Sequence, residues 1–466
     1  MLTHLQIKNF KAWRDTGPMT LAPLTVIFGA NSSGKSSLGH WLLALKQTVL
    51  HSDRKRSLYL GDEYAPVDLG VYKDCVYGHN LQQDLAFTLG WSMPQPLKVS
   101  NALNRKETYQ GKQLELSATL HSDDALQPKT REFSYRLKDG DERETLFVRH
   151  GYDENIKGHT VESRPLGLVK RRGRNWGAES PEKFYRFSDR TLSRFENADF
   201  LAEFALETER VLEHVYYLGP LRNHPRRIYS WSGDMPRDVG AQGEYAIQAL
   251  LAASERTLNR RKGQKVKSFK AFIADWLKDL GVIDTFSVQP IADGRKEYEV
   301  LIRTHPDLPE VKLTDVGFGM SQILPVLVQA FYAPANSVVW MEQPEIHLHP
   351  SVQANLADMF ISAVQSTDGS GSKDAARNVQ FIIESHSEHF LNRLQRRVAE
   401  EKISHLDVAI YFVSRDRQGA HLAPLRLNEF GEIENWPDNF FGDEMGDVAE
   451  RVLAGIQRKK TMDYHQ

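Results

Sequence analysis

Cysteine is almost absent from this sequence, since Cys75 is the only one among 466 residues. A single thiol excludes an internal disulfide framework and a zinc site built from several cysteines. Long apolar runs are absent as well: no stretch of about 18 apolar residues occurs, so no membrane-spanning helix is expected. The opening residues, MLTHLQIKNF, lack the apolar core of a signal peptide. We therefore expect a cytoplasmic protein.

An excess of one charge is also missing, because 59 lysines and arginines face 61 aspartates and glutamates, a net charge of −2. Binding to nucleic acid would therefore need local basic patches. Two basic runs occur, at residues 170–174 and 256–270, and the second holds seven basic residues and no acid. Either run could neutralise DNA phosphates, which would make binding salt-dependent. The alternative for both is a solvated helix face or a disordered loop.

A glycine-rich loop near the start of the chain has the pattern G-x-x-x-x-G-K-[ST]. It reads GANSSGKS at residues 29–36 and lies between a short apolar strand, LTVIF, and an amphipathic helix. The backbone N–H groups of such a loop wrap phosphate, and the start of the helix adds partial positive charge. We expect Lys35 to bridge the β- and γ-phosphates and Ser36 to bind Mg²⁺. The residues predicted to hold the nucleotide are Gly29, Ala30, Asn31, Ser32, Ser33, Gly34, Lys35, Ser36 and Ser37.

An acid ends a second buried strand, in the sequence SVVWMEQPEIHLHP at residues 337–350. Ligands of α/β sheets bind outside the carboxyl ends of the strands. Glu342 is therefore placed to hold Mg²⁺ or a water bound to it. The alternative is an acidic cap for the helix that follows.

Two further features lie close to this strand in the sequence. A turn of small residues, GFGMSQ, comes directly before an apolar helix, and such a turn can bind an anion. The residues of this turn predicted to contact phosphate are Gly319, Met320, Ser321 and Gln322. Another apolar strand ends in ESHS, which places His386 at the same edge of the sheet. We expect His386 to sense the γ-phosphate, with a purely structural role as the alternative.

In this order, the four motifs resemble those of ABC-type ATPase heads of the RecF, SMC and OLD group, which are often described as AAA ATPases. The Walker A motif corresponds to residues 29–36, the signature motif to residues 315–322, the Walker B acid to Glu342 and the switch histidine to His386. The resemblance implies an α/β fold, an ABC-type P-loop ATPase head, that uses ATP and Mg²⁺. Because two heads of this group enclose two nucleotides, it also implies a homodimer or a larger homo-oligomer.

The catalytic position departs from the pattern of the family. Gln343 stands where many members carry a glutamate, and an amide can orient water but cannot accept its proton. Glu345 could act as the base if the turn at Pro344 brings it inward. The alternative for Glu345 is an acid at the start of the next helix, stabilised by the helix dipole. We expect slow hydrolysis that a partner controls.

The resemblance assigns weaker roles to other residues. Those at positions where family members contact adenine are Asn9, Phe10, Lys11 and Trp13. The expected Q-loop region, residues 65–80, contains no glutamine, and Asp68 or Asn80 could do part of that work. The segment YYLGPLRNHPRR supplies candidates for contact with nucleotide, a neighbouring subunit or DNA, namely Arg222, Arg226 and Arg227.

The chain between the Walker A and signature motifs is longer than an ATPase head needs, and it shows no sustained heptads that would predict a coiled coil. The predicted division is an ATPase core split between residues 1–80 and 310–425, a β-rich insertion at 81–185, a mostly helical insertion at 186–309 and a C-terminal docking segment at 426–466. Plain packing is the alternative for the last segment. The sequence KDGDE predicts a hairpin tip. No built-in nuclease is expected.

The resemblance favours a regulatory ATPase that controls a separately encoded effector, often a nuclease, in bacterial anti-phage defence. The ATPase of the PARIS system is a loose analogy. One alternative is a DNA-repair clamp similar to RecF that binds DNA through the basic runs. The other is a nucleotide-locked scaffold in which Gln343 prevents turnover.

Overall fold

The computed structural model describes residues 1–172, 177–261, 265–369 and 375–437, together with residues 451 and 454. Most of the predicted docking segment at 426–466 therefore lies outside the described residues, as do parts of both basic runs. Among the described residues, no helix combines the length and the apolar character needed to cross a membrane.

The strands of the described chain fall into four sheets. In chain order they are β1 (Leu2–Phe10), β2 (Trp13–Asp15), β3 (Met19–Thr20), β4 (Leu24–Gly29), β5 (Leu85–Asn101), β6 (Asn104–His121), β7 (Lys129–Lys138), β8 (Glu144–Asp153), β9 (Gly158–Arg164), β10 (Val215–Leu218), β11 (Tyr229–Ser230), β12 (Thr257–Asn259), β13 (Lys267–Ser268), β14 (Thr285–Pro290), β15 (Glu297–Arg303), β16 (Val311–Lys312), β17 (Val338–Glu342), β18 (Thr367–Asp368), β19 (Ala375–Ala376), β20 (Gln380–Glu384), β21 (Val408–Asp416) and β22 (Gly419–Leu425).

The helices of the described chain are distributed over both of its halves. They are α1 (Lys35–Leu50), α2 (Tyr72–Cys75), α3 (Asp189–Leu192), α4 (Asp199–Glu213), α5 (Ala246–Ala252), α6 (Phe269–Asp279), α7 (Phe318–Tyr332), α8 (Pro350–Gln365) and α9 (Glu388–Ala399). Single 3₁₀ turns occur at Tyr77–His79, Leu313–Asp315 and His405–Asp407.

Five parallel strands form the sheet that carries the predicted motifs. Their order is β10, β17, β20, β4 and β21, and the antiparallel β22 closes one edge. All residues of β17 and β20 are buried, as expected for parallel strands that are covered on both faces. The register pairs Glu342 with Glu384 and Glu384 with Ile27. The carboxyl ends of β17, β20 and β4 therefore meet at one edge of the sheet.

A larger antiparallel sheet contains the β-rich segment. Its order is β2, β1, β5, β6, β7, β8 and β9, with β3 paired to β1. Because β1 pairs with β5, residues 81–185 extend a sheet that begins at the start of the chain. The hairpin tip predicted at KDGDE is confirmed, since Lys138 pairs with Glu144 across the turn between β7 and β8.

The segment predicted as mostly helical, residues 186–309, contains α3 to α6 and also strands β10 to β15. The amphipathic stretches that form α4 and α6 have helical spacing. The apolar run of β10 is too short for its spacing to predict a structure, and its pairing with another strand makes it a strand. This strand pairs in parallel with β17, so the core sheet takes a strand from inside the predicted insertion. The domain boundaries themselves stay a prediction.

Two apolar cores lie on opposite faces of the parallel sheet. Val26 and Phe28 of β4 point into the core that contains α5 to α9, whereas Ile27 points into the core that contains α1, α4 and the antiparallel sheet. This alternation follows from the two-residue period of a strand. The sheet therefore packs against a core on each face, and its carboxyl edge lies between these two layers.

Candidate nucleotide-binding site

The loop between β4 and α1 has the backbone geometry that the glycine-rich motif predicts. Gly29 has a φ of 149°, and a Cβ atom there would lie 2.3 Å from the carbonyl oxygen of Val413. Gly34, which precedes the first residue of α1, has a φ of 111°. Both positions therefore require glycine. The nine residues predicted to hold the nucleotide run from the last residue of β4 through the loop into the first turn of α1.

The Lys35 side chain is buried and folds over its own loop. Its ammonium group donates hydrogen bonds to the carbonyl oxygens of Gly29 at 3.0 Å and Ala30 at 2.8 Å. The nitrogen also lies 3.7 Å from a carboxylate oxygen of Glu384. Burial lowers the pKa of Lys35, and the charge of Glu384 opposes that shift.

Trp13 holds the loop from inside the protein. Its indole N–H lies 2.8 Å from the hydroxyl oxygen of Ser37 and 3.2 Å from the carbonyl oxygen of Gly34. The Ser37 hydroxyl in turn donates to the Gly34 carbonyl at 2.5 Å. The predicted loop residue Ser37 is thus tied to the loop backbone.

Two buried acids face the loop from neighbouring strands. Glu384, the last residue of β20, accepts a hydrogen bond from the Ser36 hydroxyl at 2.9 Å. Glu342, the last residue of β17, accepts one from the Tyr217 hydroxyl at 3.0 Å. The imidazole of His40 lies 3.8 Å from the same oxygen of Glu342. Ser36 and Glu342, the predicted metal ligands, therefore lie at one edge of the sheet together with Glu384.

Burial governs the protonation of these acids. Burial and the charge of Glu384 raise the pKa of Glu342 to about 7. Burial also raises the pKa of Glu384, whereas the nearby Lys35 lowers it. Crowded acids of this kind favour a bound cation, because a cation would compensate their charge.

The residues present fit a divalent cation. Among the described residues, no group of three or more histidine, cysteine, aspartate or glutamate side chains could hold a metal by itself. Mg²⁺, however, needs only one or two carboxylates from the protein besides phosphate oxygens and water. Ser36, Glu342 and Glu384 supply such oxygen donors. When bound, the cation would neutralise charge on the phosphates.

The Walker B turn is held in an unusual backbone conformation. Gln343 has a φ of 45°, in the left-handed region that non-glycine residues rarely occupy. Its N–H donates to the carbonyl oxygen of Glu384 at 2.8 Å, and its own carbonyl accepts from the guanidinium of Arg222 at 3.2 Å. The backbone of Gln343, which stands where many family members carry a glutamate, is therefore held by hydrogen bonds at both its N–H and its carbonyl group.

Glu345 is bound to the segment that follows β20. One of its carboxylate oxygens accepts from the Ser385 hydroxyl at 2.9 Å and from the backbone N–H of His386 at 2.7 Å. The other oxygen is buried and has no hydrogen-bond partner. Burial raises the pKa of Glu345. These contacts connect the Walker B turn to the histidine loop, and the role of Glu345 as catalytic base stays a prediction.

His386 lies beside Lys35 at the edge of the sheet. Burial and the charge of Lys35 lower its pKa to about 4, so the imidazole is neutral at physiological pH. Its Nε2 atom is buried and has no hydrogen-bond partner. A neutral imidazole next to the loop lysine suits a contact with phosphate, which stays a prediction.

Arg222 belongs to the same edge, and the sequence alone did not place it there. Its side chain is buried, and one guanidinium nitrogen donates to the backbone carbonyl oxygens of Glu342 at 3.1 Å and Gln343 at 3.2 Å. Burial lowers its pKa to about 10, which leaves it charged at neutral pH. Of the arginines in its segment, Arg227 instead pairs with Asp315 at 2.8 Å.

The signature residues lie at the start of α7. A Cβ atom on Gly319 would lie 3.2 Å from the carbonyl oxygen of His347, so this helix start packs against the segment after the Walker B turn. Met320, Ser321 and Gln322 are buried. Their predicted contact with phosphate stays a prediction.

The residues with weaker assignments make contacts within the chain. Phe10 and Trp13 are fully buried, so neither ring is placed to stack on adenine. The carboxylate of Asp68 accepts from the backbone N–H of Gly70, and the amide oxygen of Asn80 accepts from that of Gln82. Both contacts shape local turns.

Three cations of the second basic run form ion pairs within the chain. Arg256 binds Asp368 at 2.8 Å and donates to the carbonyl oxygens that end α7. Arg260 pairs with Asp279 at 2.6 Å, and Lys267 pairs with Asp275. These charges stabilise the fold locally, which leaves fewer of them for DNA.

Glu384 and Tyr217 are the site residues that the sequence reasoning missed. Glu384 had a usable signal, because it ends a buried strand in the same way as Glu342. Tyr217 had none, since its position depends on the pairing of β10 with β17.

Two sequence families match parts of the chain. Residues 245–391 match the AAA ATPase domain family AAA_15, and residues 403–450 match DUF3696, a family of proteins of unknown function. The first match includes the signature helix, the Walker B turn and His386, whereas the glycine-rich loop lies before it. A search of curated proteins gives no match.

Several SMC heads are similar among solved structures, at 10% identity. One is an SMC head bound to the C-winged helix domain of ScpA, with a TM-score of 0.40 over 91% of this chain and 98% of that chain. The SMC head domain of Thermotoga maritima has a TM-score of 0.39 over 91% and 99%. An SMC head with an extended coiled coil, bound to the C-terminal domain of ScpA from Pyrococcus furiosus, has a TM-score of 0.39 over 98% and 99%.

Likenesses at this level are weak, and the fold and the site rest on the contacts of the chain itself. The predicted α/β class is confirmed by the parallel sheet, the helices on both of its faces and the P-loop after β4. The family match adds the chemistry. Residues 245–391 match an AAA ATPase domain, and this match supports the prediction of an ATPase head.

Proposed function

We propose that this chain binds ATP with Mg²⁺ at residues 29–37 and hydrolyses it slowly. The observation that carries the proposal is the cluster of Lys35, Ser36, Glu342 and Glu384 at the carboxyl edge of the parallel sheet. A lysine, a hydroxyl and an acid at this edge are the groups that P-loop ATPases use on phosphates and their metal, and Glu384 is a second acid beside them. The match at residues 245–391 supports the same activity.

Slow turnover follows from the chemistry of the Walker B turn. Gln343 can orient a water molecule but cannot take its proton. Glu345 is the predicted substitute, although one of its oxygens is bonded to Ser385 and to the backbone of His386. If Glu345 is the base, its unpaired second oxygen is the atom available for the proton.

Single-turnover hydrolysis of ATP tests this proposal. The wild type should hydrolyse ATP slowly, and Gln343→Glu should be about tenfold faster or more, because a positioned base contributes about 10²–10⁴-fold. Lys35→Ala is the blank. Glu345→Gln should bind ATP but not hydrolyse it.

Other results would change the proposal in defined ways. A wild type that binds ATP yet equals the Lys35→Ala blank, together with activity in Gln343→Glu, would indicate the nucleotide-locked scaffold. Full activity in Glu345→Gln would exclude that residue as the base. Failure of the wild type to bind ATP with Mg²⁺ would contradict the proposal altogether.

Assembly as a nucleotide-dependent homodimer, or a larger assembly of dimers, is the second part of the proposal. It rests on the resemblance, in which two heads enclose two nucleotides. The start of the signature helix lies beside the segment after the Walker B strand, since a Cβ atom on Gly319 would lie 3.2 Å from the carbonyl oxygen of His347. Light scattering after size exclusion should give a dimer or larger species with ATP and Mg²⁺. Lys35→Ala should remain at the mass of one chain, and an equal mass for both proteins would contradict this part.

Control of a separately encoded effector in anti-phage defence rests on the family resemblance. The gene and its neighbours, expressed in a bacterial host, should reduce phage plaques. Lys35→Ala should abolish the reduction, and unchanged plaque counts for the wild type would remove this proposal. The DNA clamp is less favoured, because Arg256, Arg260 and Lys267 of the basic run are paired within the chain.

A further inference from the structure

Glu384 holds two side chains that a nucleotide in this loop would need. One of its oxygens accepts the Ser36 hydroxyl at 2.9 Å, and the other lies 3.7 Å from the Lys35 ammonium. Neither the resemblance nor the family match assigns a role to this residue. Its position follows from the register, which sets Glu384 between Ile27, near the end of β4, and Glu342.

The same two side chains contact the ligand in a P-loop site. The lysine reaches the β- and γ-phosphates, and the hydroxyl binds the metal. A nucleotide that enters the loop must therefore displace Ser36 and Lys35 from Glu384, or share them with it. The buried carboxylate of Glu384 would then lie next to the phosphates.

Because of the charges at this edge, metal-free nucleotide should bind more weakly than nucleotide with a bound cation. Glu342 is a second buried acid at the same edge, so Lys35 faces two carboxylates as well as the phosphates. Like charges at such short range repel strongly where water is excluded. A divalent cation reverses the sign of the interaction, because it attracts both the carboxylates and the phosphates.

We propose that Glu384 makes nucleotide binding conditional on a divalent cation. Without metal, Ser36 and Lys35 stay in contact with Glu384, and nucleotide binds weakly. When a cation binds together with the phosphates, the two side chains contact the cation and the phosphates instead. This inference rests on the proposed ATP site. It assigns to Glu384 the coupling between the binding of the metal and the binding of the nucleotide.

Equilibrium binding of a fluorescent ATP analogue tests the inference without measuring activity. Titrations at pH 8 would compare excess Mg²⁺ with EDTA for the wild type and Glu384→Gln. We expect the variant to bind the analogue about tenfold more tightly than the wild type in EDTA, because one negative charge is lost. In Mg²⁺ its affinity should equal or fall below that of the wild type.

Two further variants control the experiment. Glu388→Gln makes the same chemical change four residues later, in the first turn of α9, and should behave as the wild type in both buffers. Glu384→Asp keeps the charge but shortens the side chain, so it should keep weak binding in EDTA. If Glu384→Gln does not fold, Glu384→Ala makes the comparison instead, since it also removes the charge and should bind the analogue more tightly than the wild type in EDTA.

Three results would overturn the inference. The first is an affinity of Glu384→Gln in EDTA that equals that of the wild type. The second is a change in the affinity of Glu384→Gln that is equal in EDTA and in Mg²⁺. The third is a Glu384→Asp variant that binds the metal-free analogue as tightly as Glu384→Gln. The equal change would indicate a structural role only. Wild type that fails to bind the analogue in Mg²⁺ would instead contradict the proposed function, so the two failures are distinguishable.

Discussion

Glu342 shows at the residue scale how a buried acid is tuned by its neighbours. It is almost fully buried, its carboxylate accepts from Tyr217, and Glu384 ends the adjacent strand. Burial and the charge of Glu384 raise its pKa to about 7. In an unfolded chain an exposed glutamate has a pKa of about 4.3. Folding therefore binds a proton between these two values.

The sign of the linkage gives a pH prediction. Because the folded pKa is raised, the contribution of Glu342 to stability is full below about pH 4.3 and is lost as pH rises through about 7. Glu342→Gln removes that loss and should raise the free energy of unfolding at pH 8 by about 1–3 kcal/mol. Urea unfolding in EDTA at pH 8 and pH 5.5 measures it. A gain that is equal at both pH values would contradict the assignment.

Trp13 gives a second prediction at this scale. Trp13→Phe removes the indole N–H that binds Ser37 and Gly34, so the glycine-rich loop loses an internal support. We expect a loss of about 1–2 kcal/mol in the free energy of unfolding and weaker ATP binding. Thermal unfolding and ATP titration measure these effects.

Trp41 provides the matched control for Trp13. It is also fully buried, on α1, but its indole N–H has no hydrogen-bond partner. Trp41→Phe should therefore cost packing energy and leave ATP affinity unchanged. Equal effects of the two substitutions on ATP affinity would show that the indole N–H of Trp13 does not support the loop.

The packing of α1 on β17 is decided at the scale of elements. Gly39 lies one turn into α1, and a Cβ atom there would lie 2.4 Å from the indole ring of Trp340. The missing side chain lets the helix that follows the glycine-rich loop approach the Walker B strand. The distance between the loop and Glu342 thus depends on a helical glycine.

Gly39→Ala should destabilise the protein although alanine favours helices. The propensity gain is about 1 kcal/mol, whereas a forced shift in a packed core costs about 1–3 kcal/mol or more. We expect a net loss in the free energy of unfolding, measured by urea denaturation. The loss should shrink when Trp340→Phe is also present, since the two sites are in contact. Additive effects would contradict the proposed clash.

The end of α7 explains part of the second basic run at the same scale. Arg377 is fully buried and donates to the carbonyl oxygen of Ala333 at 2.5 Å, and Arg256 donates to those of Phe331 and Tyr332. Positive charge at a helix C-terminus is stabilising. Arg256 thus fixes the helix that carries the signature residues.

At the scale of the whole molecule, the parallel sheet joins two cores. In strand β4, Val26 packs in one core and Ile27 packs in the other. Unfolding of this strand would therefore disrupt both cores. Trp13, Trp41, Trp91 and Trp340 lie in the core with α1, whereas α5 to α9 surround the other. Trp276 lies in the core with α5 to α9 and Trp231 packs against it, so tryptophan fluorescence is weighted toward the core with α1. Far-ultraviolet circular dichroism reports the helices of both cores.

We expect urea unfolding followed by these two signals to give coincident transitions. The shared sheet couples the cores, and coincidence of different probes is the usual test of a cooperative transition. Saturating ATP with Mg²⁺ should shift both transitions together, since a ligand stabilises the folded state that binds it. Two separate midpoints would show that the cores unfold independently.

Local motifs explain how much of the site the sequence predicts. The glycine-rich loop is contiguous, and its spacing alone places Lys35 and Ser36 at the start of α1. Glu342 and His386 are predictable because each follows a buried strand whose carboxyl end must lie at the same edge. Trp13 and Arg222 are not, because aromatic and basic residues have the same sequence appearance whether they contact a ligand or the backbone of the protein.

The sequence by itself determined the P-loop and the acid and histidine at the strand ends, since short-range periodicity and backbone geometry encode them, and the resemblance of its motifs implied the α/β class. The tertiary structure alone decided that Glu384 binds Ser36, which is 348 residues away in the chain. It also decided that β10 joins the core sheet and that Arg256 and Arg260 of the basic run are paired. Strand register and long-range packing, which no local pattern specifies, select these contacts.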